Sequence, residues 1–289
     1  MTSKVLLIGN DISKFDSVLS QLSDAATTVS VCSYRDLSFC LDKDHSFIKY
    51  FTTGEDIREF SRIIILATSP GHLQNYLFSA LACYCRKHNI TLLDDSFSNT
   101  DGKLYALWRF WESGIPVAKT AFGPVEFLVQ QFSQFGFPCI IKSVQGTKGK
   151  DSYLIHDETE LRQVINDNPD THFVMQNFIP NDGDWRIILT HFKPRLAIYR
   201  SSHGKDFRNN TSVGGDATLV PLEEVDPKVL ELATDAAKAL DIKIAGADIL
   251  QDKNSGEYTV LEVNRTPQLI TGAFPEAKIS VLKSLITGN

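Results

Sequence analysis

The chain has little that would point away from an ordinary soluble globular protein. It contains only 2 methionines and 5 cysteines in 289 residues. The cysteines (Cys32, Cys40, Cys83, Cys85, Cys139) are odd in number and show no zinc spacing; Cys83 and Cys85 are too close for a Cys-x-x-Cys pair. A disulfide framework is excluded as the organising principle, and reduced thiols in a cytoplasmic protein are expected. No apolar run approaches the roughly 20 residues of a membrane span. The stretch nearest to one, Ile63 to Ala67, reads as a buried strand. Nothing at the start resembles a secretory signal, because the apolar run from Val5 to Gly9 gives way at once to polar residues. Positive charge is not in excess: the net charge is −6, which argues against a protein that coats nucleic acid and leaves room for a local basic cleft. A Gly-x-Gly-x-x-Gly turn is missing after the first strand, where Leu7-Ile8-Gly9-Asn10-Asp11 has one glycine. The first lobe is therefore read as a substrate or scaffold domain and not as a dinucleotide site.

What is present is an ordinary globular composition, 43% hydrophobic and 22% charged, in a chain long enough for about two domains. Residues 1–95 alternate strand and helix: strands at Lys4 to Ile8, Val29 to Ser33, Ile63 to Ala67 and Thr91 to Leu93, helices at Asp11 to Ala25 and Tyr76 to His88. This alternation predicts a parallel α/β sheet with helices on both sides. A helix at Lys103 to Ser113 ends at Gly114, and Ile115-Pro116-Val117 is extended. Residues 96–180 make a central unit with helices at Val125 to Phe135 and Glu158 to Asn166, and strands at Cys139 to Lys142, Ser152 to Ile155 and Phe173 to Phe178. Residues 181–289 make the last unit. Its strands are Trp185 to Leu189 and Leu196 to Arg200, then come a polar loop over 201–217 and a helix at Asp226 to Ala239. A strand pair within 245–264 and a helix from Ile279 close it.

Four segments carry chemistry. Ala247-Asp248-Ile249-Leu250 and Val260-Leu261-Glu262-Val263-Asn264 flank a turn-rich stretch, Asp252 to Glu257. A hairpin centred at Ser255 sets Asp248 opposite Glu262, with Asn264 on the same face. Opposed carboxylates ask for a cation, and oxygen donors without His or Cys favour Mg²⁺ or Mn²⁺. The bland alternative is a solvated sheet face with incidental acids; the apolar residues elsewhere in both strands weaken it. Lys142 ends an apolar strand, where a lysine needs an anion. The following Gly146, Thr147 and Gly149 suit close approach to phosphate, although the spacing is not that of a Walker A loop. Gln176-Asn177-Phe178-Ile179-Pro180 suits a strand edge offered to an aromatic base, and Asp184 and Arg186 share a face beyond it. Finally, Arg200 to Gly215 is a long cationic loop whose arginines suit phosphate oxygens. Each of these has a plain structural reading by itself: a snorkelling lysine, a surface ion pair, a mobile loop.

Taken in order over about residues 100 to 270, these segments resemble the ATP-grasp superfamily and, within it, the RimK-like carboxylate–amine ligases. Lys103 with Gly114 to Val117, Lys142 with Gln145 to Gly149, and Gln176 to Ile179 match family patterns. So do Asp184 with Arg186, Asp206 to Asn210 with Gly214 and Gly215, Gly246 to Leu250, and Glu262 to Pro267. The resemblance implies a Rossmann-like pre-ATP-grasp domain over 1–95, then a two-lobed ATP-grasp fold, α/β and α+β. It implies ATP and Mg²⁺ (or Mn²⁺) as cofactors. Adenine would lie against Gln176, Asn177, Phe178 and Ile179, and ribose against Asp184. The phosphates would meet Lys103, Lys142 and the Gly146–Gly149 loop. The metal would be held by Asp248, Glu262 and Asn264. Arg208 and Asn210, with Arg200 nearby and Asn209 between them, would hold the γ-phosphate or an acyl phosphate. Departures from the family are Asn177 where relatives often carry glutamate, Asn209 where they often carry serine, and Gln268 to Gly272, which replaces a glycine. The implied activity joins a carboxylate to an amine (an amino acid, peptide or protein tail), with no membrane partner and no nucleic acid. A phosphotransferase and a nucleotide-binding module without turnover stay open, as does a homo-oligomeric state.

Overall fold

The computed structural model describes residues 3–41, 46–66, 72–94, 102–144, 151–202, 209 and 215–288. The first region holds β1 (Ser3–Gly9), α1 (Asp16–Leu22), β2 (Thr27–Ser33), β3 (Leu37–Leu41), β4 (Ser46–Tyr50), β5 (Arg62–Ile65), α2 (His72–His88) and β6 (Thr91–Leu93). Four strands pair in parallel in the order β2-β1-β5-β6. Their apolar runs are continuous because both faces are covered. Val5, Leu7 and Ile64 face one core, and Leu6, Ile8, Ile63 and Ile65 pack with Phe78 and Leu81 of α2 in another.

Two features differ from the sequence expectation. The first helix is shorter: Asp11 accepts from Ser13 N and opens a tight turn over Ile12–Phe15 before α1 begins. At the other end Asp24 Oδ1 accepts from both Ala26 N and Thr27 N, and this local turn stops the helix. The β3–β4 hairpin was not foreseen. Only Leu37, Ile48 and Tyr50 of it are well buried, and they become apolar core only by packing against the second face of the parallel sheet.

The next region starts with α3 (Lys103–Glu112) and continues through β7 (Thr120–Phe122), α4 (Val125–Phe135), β8 (Cys139–Ser143), β9 (Ser152–Ile155), α5 (Glu158–Asp167) and β10 (Phe173–Asn177). The strands form an antiparallel sheet in the order β7-β10-β8-β9. Leu128 and Phe132 of α4 and Leu161 of α5 cover one face through Cys139, Ile141 and Met175. Alternation along β8 then turns Ile140 and Lys142 to the other side. α3 does not join this core. Phe110 and Ile115 are buried with the last sheet instead, so the helix that sequence order assigns to the central unit packs on its successor.

The last region comprises β11 (Asp184–Thr190), β12 (Lys193–Ser201), β13 (Asp216–Val220), α6 (Pro227–Ala239), β14 (Ile244–Gln251), β15 (Tyr258–Asn264) and α7 (Pro275–Thr287). Its antiparallel sheet has the order β13-β12-β11-β14-β15. Asp226 caps α6 through Lys228 N, ahead of Pro227 in the first turn. The small residues Ala233, Ala236 and Ala237 let α6 lie close on Ile187, Ala245, Ala247 and Ile249. The opposite face is covered at one end by α7, where Ile188, Ile198 and Ile244 meet Ile279, Leu282 and Leu285. The same cluster includes Val5, Leu7 and Val18, so α7 is the wedge between the first and last sheets. Arg62 Nη1 donates to the Leu285 and Ile286 carbonyls at 2.6 and 2.9 Å, closing the exposed end of that helix. Among the described residues no helix is long and apolar enough to cross a membrane.

Candidate functional site

The β14–β15 pair has the expected register at its inner end. Asp248 faces Glu262 and Gly246 faces Asn264. One residue outward the register shifts, so that Ile249 pairs with Val260. The turn follows its composition: Asp252 accepts from Asn254 N and from Gly256 N, and Gly256 takes a positive φ of 75°. Glu262 and Asn264 therefore lie side by side, and Asn264 Nδ2 donates to Glu262 Oε1 at 2.8 Å. Glu262 is exposed, whereas Asp248 is only 3% exposed.

The cation opposite Asp248 is a guanidinium. Arg186 is its register partner on β11 and grips both carboxylate oxygens, through Nε to Oδ1 and through Nη2 to Oδ2 at 2.6 Å. Arg200 Nη2 lies 3.1 Å from Asp248 Oδ2. Arg200 in turn makes a fork to its own register partner Asp184, with two bonds of 2.7 Å. The result is a row of two buried carboxylates and two arginines on one sheet face. Burial works against the Asp248 charge, and Arg186 and Arg200 outweigh it, so the carboxyl stays below its usual range. Burial also opposes the Arg200 charge, and Asp248 with Asp184 raises its pKa above the ordinary value. Two of the expected site residues are engaged in this row. Asp184, expected at the ribose, has both oxygens committed to Arg200 and is buried. Arg200, expected beside the γ-phosphate, is buried in the same pair.

Lys142, on the face of β8 turned away from α4 and α5, lies within electrostatic reach of this row. Burial pulls its pKa down; Glu262 is the largest opposing influence, Lys103 adds to the lowering, and Asp248 and Asp184 favour the charge. Lys103, at the start of α3, donates to the Ser143 carbonyl at 2.5 Å and also feels Glu262 after burial. Two lysines from different elements thus both feel one exposed carboxylate.

The linker is partly committed to structure. Gln176 is buried and its Nε2 donates to Thr120 Oγ1 at 3.0 Å, tying β10 to β7. The Asn177 and Phe178 amides donate to the Lys119 and Pro138 carbonyls, and Ile179 O accepts from Asn181 Nδ2. Asn177 Oδ1 is buried with no hydrogen-bond partner, a cost that an incoming donor would remove. Asn209, expected at the nucleotide, is buried and donates to Asn181 Oδ1 at 2.8 Å, while a side chain at Gly215 would collide with the Asn209 carbonyl. Gly146, Thr147, Gly149, Arg208 and Asn210 lie outside the described residues.

Among the described residues no group of three or more His, Cys, Asp and Glu is placed to hold a metal. The expected set rests instead on two carboxylates and one amide. Glu262 and Asn264 present hard oxygen donors in an accessible position next to two lysines, which fits Mg²⁺ with phosphate-bearing substrate. Asp248 joins that set only on giving up an arginine bond. Sequence reasoning missed Lys278, a buried lysine on α7 beside this row. The signal was there in its helical spacing with Leu282 and Leu285, but the helix was expected to start one residue later, at Ile279.

Comparison with known proteins gives the family. The chain is 28% identical over 198 residues to a probable alpha-L-glutamate ligase of Cellvibrio japonicus, covering 66% of this chain and 62% of the relative. It is 29% identical over 226 residues to a probable alpha-L-glutamate ligase of Vibrio atlanticus, covering 75% and 72%. The chain thus spans less than two thirds of the length of the first of these. Its fold resembles that of the ATP-grasp ligase PsnB, solved with a phosphomimetic variant of a minimal precursor, Mg and ADP. That likeness has a TM-score of 0.73 at 16% identity and covers 99% of this chain and 98% of that one. The model of the RimK-like ATP-grasp domain matches residues 108–287, well over half of the chain, and the protein belongs to that family.

Proposed function

We propose that the chain is an ATP- and Mg²⁺-dependent ligase that joins a carboxylate to an amine and releases ADP and phosphate. The observation that carries this reading is that Lys103 of α3 and Lys142 of β8 both lie within electrostatic reach of the exposed Glu262 of β15, beside the hard oxygen donor of Asn264. A carboxylate is a poor electrophile near neutral pH. Attack of its oxygen on the γ-phosphate forms a C–O–P bond, breaks the bond to the β-phosphate oxygen and yields ADP and an acyl phosphate. The amine nitrogen then attacks the acyl carbon, phosphate leaves, and the nitrogen loses a proton. The protein's part is positioning and charge neutralisation, which needs no enzyme nucleophile. Lys103 and Lys142 would balance phosphate charge. Asn177 Oδ1 would accept from the nucleotide. Mg²⁺ at Glu262 and Asn264, with Asp248 after release of an arginine, would supply Lewis acidity toward the phosphate oxygens.

The relatives described as probable alpha-L-glutamate ligases, and the precursor peptide bound to PsnB, support an amino acid on one side and an amino acid or peptide on the other. The N-terminal parallel sheet would serve as the pre-ATP-grasp domain, with the central and last sheets as the two grasping lobes. Incubation with Mg²⁺-ATP and pools of amino acids and short peptides tests the reading. ADP release that depends on an added acid and amine, with a new mass equal to their sum less one water, is expected. ADP formation with no amide product in any pool would overturn it.

A further inference from the structure

The first sheet ends in an open strand. In the order β2-β1-β5-β6, β2 pairs with β1 and has no strand on its other side. Ser3 N donates to the Ala26 carbonyl at the start of the β1–β2 ladder, which turns the backbone groups of Thr28, Ser30 and Cys32 toward β1. Those of Thr27, Val29 and Val31 point outward. The first of these are covered: the Thr27 carbonyl accepts from Asp24 N at 3.0 Å, and Val29 N donates to Ser23 Oγ at 3.2 Å. There the cover stops. Among the described residues, the Val29 carbonyl and both the N–H and the C=O of Val31 have no hydrogen-bond partner.

The other edges of the three larger sheets are guarded. β6 and β7 have three residues each and β9 has four. β13 carries a charge, Asp216, and β15 is met by the preceding chain, with Val260 N donating to the Pro116 carbonyl. β2 runs for seven residues, Thr27–Ser33, with no proline, no charged side chain and an unbroken register. An edge of that kind is a template for another strand.

The open part of this edge lines a cleft of about 280 Å³. One wall is Ile12, Asp16 and Leu19, from α1 and the turn before it; the other is Tyr50, Thr53 and Glu55, at the end of the β3–β4 hairpin. Each wall thus joins an apolar surface to a carboxylate, and Ile12 is 41% exposed. Asp16 has no cationic partner among the described residues, whereas Glu55 has Lys4 at 3.4 Å. No lysine or arginine lines the cleft.

We propose that the β2 edge docks an extended segment of a partner protein as an added strand, a segment of β-branched residues interspersed with lysine or arginine. The main chain of such a segment would satisfy Val29 and Val31, and its side chains would fall alternately on the two walls. Basic residues would meet Asp16 and Glu55. A second copy of this chain is the poorer occupant, because it would bring the same two carboxylates to the same edge, where like charges oppose each other. None of these residues belongs to the candidate site, so the proposal stands apart from the ligase reading.

Fluorescence anisotropy with the full chain provides the test. The probe is a labelled short peptide of repeating lysine–valine–threonine; a repeat of three on a strand of period two sends lysine to both walls. Its controls are the same peptide with glutamate for lysine, and the same peptide N-methylated along the backbone. The parent should bind the probe at least tenfold more tightly than either control. Val31→Pro removes the outward donor and leaves the pairing with β1 in place, as proline does on an edge strand. It should weaken the probe at least tenfold. Asp16→Lys, at an exposed position on α1, should erase the preference for lysine over glutamate. A thermal melt of each variant confirms the fold, and Asp16→Lys keeps the test valid if the proline variant does not fold. The proposal is overturned if the parent binds no peptide, if the N-methylated form binds as well as the probe, or if both variants bind as the parent does. It is also overturned if sedimentation shows a parent dimer that Val31→Pro dissociates, since the edge would then belong to a second copy.

Discussion

Arg186 and Asp248 stand directly opposite each other on β11 and β14, and the guanidinium holds both oxygens of the carboxylate. Glu262 is the next residue along the same row, on β15. One end of the row is therefore neutralised and buried, and the other is an exposed carboxylate facing two lysines. The proposed metal set is divided by this arrangement into a part ready for a cation and a part already paired with one.

Asp248→Asn removes the charge shared by the buried Arg200 and the partly buried Arg186. Breaking a buried pair by removing one partner costs about 3–5 kcal/mol. Denaturant unfolding of the variant should show a loss of that order, with an unchanged slope against denaturant. A loss below about 1 kcal/mol would mean that the arginines find other partners, and the row would not be the structural element described here.

Glu262→Gln should separate chemistry from folding. The residue is exposed on β15, so stability should change by no more than about 0.5 kcal/mol. Substrate-dependent ADP release should fall by about a hundredfold or more, the scale seen when a group aimed at developing charge is lost. Activity within about tenfold of the parent would remove Glu262 from the site, since that is an effect of only about 1.4 kcal/mol.

Gly183→Ala tests how closely the strand carrying Asp184 approaches its neighbour. A Cβ at this position would lie 2.3 Å from the Arg200 carbonyl and 2.6 Å from the Tyr199 hydroxyl. The first of these is backbone and cannot swing aside. Overpacking of this kind costs about 1–3 kcal/mol, and the strain would fall on the Asp184–Arg200 fork. Thermal unfolding should register a lower midpoint for the variant, and an unchanged midpoint would show that the two strands separate freely.

The Lys278 charge gives a pH signature. Its folded pKa of about 8 lies below the ordinary value of 10.5, so between those values the unfolded chain binds a proton that the folded chain does not. Stability from this group therefore rises with pH across that window, and the cost of the buried charge is fully present below it. Lys278→Met lacks the effect. The stability of Lys278→Met relative to the parent should fall from about pH 7 to about pH 10, as the parent recovers. A difference that stays flat across that range would show that the lysine is not buried in charged form.

Much of the fold was legible because it depends on local rules. Continuous apolar runs such as Val5 to Ile8 and Ile63 to Ile65 could only be strands covered on both sides. The helix of α4 (Val125–Phe135) and the strand of β9 (Ser152–Ile155) follow from periodicity and from the Gly136 and turn residues beside them. The Asp248–Glu262 register followed from strand alternation and a turn whose residues allow little else. Less legible were Leu37–Leu41 and Ser46–Tyr50, whose buried residues Leu37, Ile48 and Tyr50 gain their partners only from distant segments, the parallel sheet and α2.

What the sequence determined by itself is therefore which residues share a face: Asp184 with Arg186, and Asp248 with Glu262 and Asn264. A side-chain period of two and a tight turn are enough for that. Only the tertiary structure decided that these are the same face of one sheet, because β11 comes to lie beside β14 across some sixty residues of chain, a pairing no local propensity encodes. That pairing turns an expected repulsion between acids into a carboxylate–guanidinium row, and it brings α7, with Lys278, to the edge of the row.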